Sequence, residues 1–194
     1  MRRGAVACFA LAAAATAASA QDLTVDGGCR DGQPHGAYEV KGPGGTMRVV
    51  GAFAKGRRTG SFLFWSESGA RIALLPYDDD ALSGTVALWY PPAGRAGDAR
   101  PKLEATYSRG RLSGVKRSWY PDGRLRAEYR YEKGSLVGAR AFAESGRALP
   151  ESEARALAQR DAAADEALQA SLEAFLRNHA PRCDPAASDR LEKG

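Results

Sequence analysis

Glycines at positions 36, 60, 84, 114 and 138 recur at steps of 24, 24, 30 and 24 residues. The long step contains GRAGDARP, residues 94–101, which reads as a six-residue loop insertion. Other residues keep the same beat when counted from each opening glycine. Five residues on stand Trp65, Trp89 and Trp119, all three tryptophans of the chain, with Lys41 in the first unit. Nine residues on stand Gly45, Gly69 and Gly123, with Gly94 one place late beside the insertion. Seventeen on, with the insertion subtracted, stand Phe53, Tyr77, Tyr107 and Tyr131, and twenty on Gly56, Asp80, Gly110 and Gly134. A period of this length means one supersecondary unit stacked on copies of itself. A fifth unit opens at Gly138 with GARAFAESGRALP and stops halfway.

The pattern inside a unit is β. Leu125, Ala127, Tyr129 and Tyr131 alternate with Arg124, Arg126, Glu128, Arg130 and Glu132, which predicts a strand with one apolar and one charged face. Met47, Val49, Gly51 and Phe53 hold the same slots in the first unit, and Arg71, Ala73, Leu75 and Tyr77 in the second. Tyr120-Pro121-Asp122-Gly123 is a turn: Pro presets its first dihedral, Asp bonds the turning backbone, and Gly accepts a positive φ. Each unit is therefore a β-hairpin, and links such as Gly134 to Gly138 lead to the next one. The expected fold is mostly β, an elongated antiparallel meander of 24-residue hairpins with one C-terminal α-helix. The recurring Trp65, Trp89, Trp119, Phe53, Tyr77, Tyr107 and Tyr131 are read as packing between successive hairpins. Stacking of the tryptophans on sugar rings or peptide side chains is the alternative.

In Ser61–Trp65 and Thr85–Trp89 both faces are apolar, whereas Lys116 and Ser118 take the second face of the fourth unit. Strands apolar on both sides are covered on both sides, so something should lie over the second face of the two middle units. Residues 151–178 supply the cover: they contain no Gly or Pro, follow Pro150 and precede Pro181, and predict a helix. Its apolar stripe is Leu157, Ala164, Leu168, Leu172, Phe175 and Leu176, interrupted by Asp161, which predicts weaker attachment of the first half. A helix that pairs with another protein or with itself is the rival reading.

The chain opens with Arg2 and Arg3, an Ala-rich apolar run and Ala18-Ser19-Ala20, the form of a signal peptide cleaved before Gln21; an uncleaved anchor is the alternative. This divides the chain into a leader at 1–20, a repeat domain at 21–148 and a helix and tail at 149–194. The mature part would have no transmembrane segment and would be exported, periplasmic or secreted. Its two cysteines, Cys29 and Cys183, then invite one disulfide, against the alternative of two free thiols. Residues 21–148 carry 20 Lys and Arg against 14 Asp and Glu, but the cations are spread out, so no nucleic-acid partner is expected.

Nothing in the pattern assembles a reactive site. His35 falls in a turn slot and His179 at a helix end, and no Cys-x-x-Cys or phosphate loop is present. Asp78-Asp79-Asp80 offers oxygen ligands for calcium but fills a loop slot, so an exposed turn is favoured. No catalytic residue, metal or cofactor is expected.

The stretches WYPDGRLRAEYRYEKGSLVG (119–138), WSESGARIALLPY (65–77) and DGQPHG (31–36) resemble the MORN-repeat family, most of all the bacterial variant repeats of the YwqK-type antitoxin group. The likeness runs from about Asp31 to Gly146, departing where Lys41 replaces a tryptophan and Asp80 a glycine. It implies an array that binds, with no catalytic residues to carry over. The expectation is an exported, non-enzymatic repeat protein that binds a protein or cell-envelope component. An antitoxin- or immunity-like inhibitor is the alternative, followed by an envelope glycan hydrolase. The surface expected to bind lies near Tyr90 and Tyr120, flanked by Arg117, Arg126 and Arg130.

Overall fold

A computed structural model describes residues 23–92 and 99–184. The leader and most of the insertion lie outside the described residues. Eleven strands form one open antiparallel sheet: β1 Thr24–Arg30, β2 Gln33–Lys41, β3 Met47–Ala54, β4 Arg57–Trp65, β5 Arg71–Asp78, β6 Ala81–Leu82, β7 Gly84–Trp89, β8 Pro101–Ser108, β9 Arg111–Trp119, β10 Leu125–Glu132 and β11 Ser135–Ala141. Their order across the sheet is their order in sequence, except that the two-residue β6 pairs β5 beside the path. One helix, α1, follows over Glu151–Asn178. The fold is the elongated hairpin meander with a C-terminal helix that the periodicity predicts.

The beat has a backbone cause. The N–H of Ser66 donates to Ala70 and that of Gly69 to Ser66, and the same pair of bonds closes 42–46, 120–124 and 143–147. The links between hairpins are Asp31-Gly32, Lys55-Gly56, Asp79-Asp80, Arg109-Gly110 and Lys133-Gly134, each with φ > 0 at both residues. That is the type I′ geometry, whose twist suits flanking strands. The second residue of each later link donates to the carbonyl two places before the opening glycine: Gly56 to Pro34, Asp80 to Arg58, Gly110 to Leu82 and Gly134 to Leu112. Asp80 thus fills the glycine slot at φ 68°, and its carboxylate accepts from the backbone N–H and Nε of Arg58 at 2.9 and 2.7 Å.

Each opening glycine faces the aromatic of its own unit: Gly36 opposite Phe53, Gly60 opposite Tyr77, Gly84 opposite Tyr107 and Gly114 opposite Tyr131. Gly60 lies at a register shift and has φ +70°. A Cβ there would meet nothing within 4 Å, so the left-handed backbone, not space, demands glycine.

A second register shift recurs beside the tryptophan slot, next to Lys41, Trp65, Trp89 and Trp119. It corrects the simple alternation of the sequence reading. Met47, Arg71 and Leu125 pair with Lys41, Trp65 and Trp119, while Val49, Ala73 and Ala127 pair with Val40, Phe64 and Ser118. The first member of each predicted apolar set therefore lies beyond a bulge, off the row of the others.

One face holds the core. Tyr38, Val40, Val49, Phe62, Phe64, Ala73, Leu75, Val86, Leu88, Leu103 and Ala105 join Leu176 of α1 in one cluster, and Ala127, Tyr129, Tyr131 and Ala141 join Ala154 and Ala158 in a second. Tyr38, Phe53, Phe62 and Tyr77 make successive edge-to-face contacts at 5.3, 5.6 and 5.4 Å. The helix covers the second face, as expected, but over more than the two middle units: its start lies on β10 and β11 and its end on β2. The Tyr38 hydroxyl donates to the His179 carbonyl at 2.8 Å. Cys29 and Cys183 form a disulfide with Cα atoms 5.7 Å apart.

Gly60→Ala should lower unfolding free energy by about 1–2 kcal/mol, the cost of a left-handed non-glycine residue, and reduction of Cys29–Cys183 by about 2–5 kcal/mol. Urea melts of the oxidised, reduced and variant proteins measure both.

Candidate functional site

The sheet has two unlike faces, and each offers a site. On the face away from α1, residues directly opposite one another form a row from β1 to β11: Asp26, Glu39, Val50, Leu63, Leu74, Ala87, Glu104, Arg117, Glu128 and Arg140. The middle of the row is apolar and partly exposed. Its far end is an alternating charge ladder, with Glu128 bound by Arg117 at 2.7 Å and by Arg140 at 2.9 Å. Those two cations hold the Glu128 carboxyl below the usual range, the Arg117 hydrogen bond being the largest cause. Trp65 and Trp89 flank the apolar stretch, with the Arg71 guanidinium 4.2 Å from the Trp89 ring centroid. Pro92, ahead of the insertion, and Ala99, within it, join Leu63, Trp65 and Arg71 around a cleft of ≈330 Å³.

On the helix side, the middle of α1 meets the sheet through charge. Arg126 Nη1 and Nη2 donate to the two Asp161 oxygens at 2.7 and 2.9 Å. The Tyr129 hydroxyl donates to Asp161 at 2.8 Å, and Lys116, 1% exposed, donates to Asp165. Burial opposes ionisation of Asp161, but the bonds from Arg126 and Tyr129 outweigh it and leave the carboxyl below its ordinary value. For Asp165 burial is the larger influence and the carboxyl is raised, against the pull of Lys116. Lys116, Arg126, Asp161 and Asp165, with Tyr90, Lys102 and Leu168, line a cleft of ≈350 Å³ between helix and sheet.

The five residues expected to bind do not share one surface. Arg117 and Arg130 lie on the uncovered face, in the rows of Glu104 and Val115. Arg126 reaches under α1. Tyr90 and Tyr120 stand at the hairpin turns and tie unit to unit, their hydroxyls donating to the Trp119 and Phe142 carbonyls at 2.9 and 2.8 Å. Tyr90 and Arg126 both line the helix cleft. Trp65, Trp89 and Trp119 occupy equivalent, half-buried positions opposite Arg71, Pro101 and Leu125. Phe53, Tyr77 and Tyr131 are buried in the core and Tyr107 packs against it.

The sequence reading missed Lys116, Asp161 and Asp165 as a set. Asp161 breaks the apolar stripe because it is an anchor, not a weak point of attachment. Asp161 and Asp165 are one helical turn apart, and that spacing was the available signal. Of the stripe itself, Leu168 is 36% exposed. Asp79 pairs with Arg57 at 2.6 Å, and Asp79 and Asp80 form a link turn. His35 Nδ1 accepts from the Lys55 N–H at 3.4 Å, and His179 closes the end of α1 against Phe175. Among the described residues no three His, Cys, Asp or Glu side chains gather into a metal-binding group, and no helix is long and apolar enough to cross a membrane. No protein-family model matches the chain, and no curated protein matches it.

Asp161→Asn should cost about 2 kcal/mol at neutral pH, the scale of hydrogen bonds to a charged group. Asp161 has a lowered folded pKa, so its contribution is present above the unfolded carboxylate value of about 3.9 and is lost as pH falls through the folded value. Denaturation at a series of pH values should show the penalty shrinking in acid; a pH-independent penalty would contradict the clamp.

Proposed function

We propose that this chain is an exported, non-enzymatic, MORN-like repeat protein that binds another protein or a cell-envelope component on the uncovered face of its sheet. The observation that carries the proposal is the run Val50, Leu63, Leu74 and Ala87, side by side on four adjacent strands of the face that α1 leaves open. An apolar centre with a charged rim is the anatomy of a protein interface. Trp65 and Trp89 beside it are the residue type that most often anchors one.

Export is supported by the leader-like start of the sequence and by the Cys29–Cys183 disulfide, a bond that persists in oxidising compartments. The non-enzymatic reading is supported by the use to which the buried charges are put. Asp161 and Asp165 are tied to Arg126 and Lys116 in holding α1.

The test is capture from a solubilised envelope fraction by the mature protein and by a Leu63→Glu/Leu74→Glu variant. The variant should retain its circular dichroism and lose at least tenfold in captured partner, while Leu168→Glu on α1 binds as the parent does. Equal capture by all three proteins would refute the assignment of the face.

A further inference from the structure

Among the described residues the repeat is cut in mid-unit at both ends, and the two cut ends are complementary. β1 and β11 are the terminal strands of the sheet among the described residues. β1 corresponds to the second strand of a hairpin. Cys29 falls two residues before the Asp31-Gly32 link, just as Phe53, Tyr77, Tyr107 and Tyr131 precede theirs. β11 corresponds to the first strand of a hairpin whose return is brief. Ala148 bridges Phe142 and the Leu149 N–H donates to the Ala141 carbonyl at 2.8 Å. Then Pro150, which has no N–H, leaves the sheet for α1. The stretch of β11 that this return leaves open, from Arg140 back to Leu136, is the stretch that the β1 half of a unit would fill.

We propose that β1 of one molecule pairs antiparallel with β11 of the next, so that a hairpin is completed between two chains and the sheet continues head to tail. The row of residues on the uncovered face sets the register. Continuing the uncovered-face row places Arg140 directly opposite Asp26 of the next molecule, and the neighbouring row places Ala139 opposite its Gly27. Opposite charges directly across a strand pair favour pairing. The alternation Arg117, Glu128, Arg140 then runs on into Asp26.

Two further observations favour this occupant. Val25 on β1 and Val137 on β11, 37% and 43% exposed, are two of the three most exposed large apolar side chains among the described residues. Neither strand carries the Pro or Lys that commonly blunts a solvent-facing edge. Leu23, just ahead of β1, packs against its own core. The contact is heterologous, each molecule offering one end and accepting the other, so it does not close on itself and builds a twisted ribbon.

Sedimentation velocity on the oxidised mature protein over a concentration series tests this. The weight-average mass should climb with concentration and pass beyond the dimer. Asp26→Arg and Arg140→Glu, at exposed positions, should each weaken association at least tenfold with circular dichroism unchanged. An equimolar mixture of the two variants should restore it, because Arg140 of one then meets Asp26 of the other and Glu meets Arg at the alternate junction. A protein monomeric up to about 1 mM, a plateau at dimer, assembly indifferent to both substitutions, or a mixture that fails to recover would each overturn the proposal.

Discussion

A single-layer sheet has a face that must be kept dry, and here one helix does it. Phe62, Phe64, Leu75, Tyr38 and Tyr129 are almost fully buried although no second sheet lies over them. At about 1.5–3 kcal/mol for each large side chain, removing that cover would expose as much free energy as a small domain keeps in reserve. The dimensions match. A helix of 28 residues is about 42 Å long, and ten strands at their usual spacing span about 43 Å. α1 is therefore long enough to cross the sheet once, from β11 back to β1. It is tied at its start by the short turn at 143–147 and beyond its end by Cys29–Cys183. Pro181, whose Cγ would lie 2.6 Å from a Cβ at Gly27, presses the tail onto β1.

Covering one face defines the other. The strap commits Tyr129, Lys116 and Arg126 to the interior and leaves the Leu63–Leu74 row outside, so the surface proposed to bind a partner follows from where the helix lies. The polar middle of α1 serves the same division. Apolar contacts at its two ends would fix the helix to the sheet but not set its rotation. Asp161 and Asp165, each matched to a named cation, allow only one face of the helix to point inward.

Much of this was legible in the sequence because backbone requirements print themselves as residue types. Left-handed turns call for glycine, so the beat of Gly36, Gly60, Gly84 and Gly114 disclosed the hairpins, and the Gly- and Pro-free stretch at 151–178 disclosed α1 to its exact bounds. Bulges leave no such mark. The extra residue beside each tryptophan shifts the phase of the strand, and alternation alone put Leu125 with Ala127 when the pairing separates them. Charges that pair across sequence are equally silent. Lys116 and Asp165, 49 residues apart, look like two solvated side chains until topology brings them together. For the same reason Arg126 could not be told from Arg117 and Arg130: the bulge that carries it under the helix is invisible in the alternation.

The central claim is that α1 lies flat on the repeat face along its whole length. Nuclear Overhauser spectroscopy on the methyl-labelled oxidised protein tests it most directly. The account predicts cross-peaks from the Ala154 and Ala158 methyls to the Tyr129 and Tyr131 rings, and from the Leu176 methyls to aromatic rings of the other cluster. A helix that shows its own sequential contacts but none of these would contradict it.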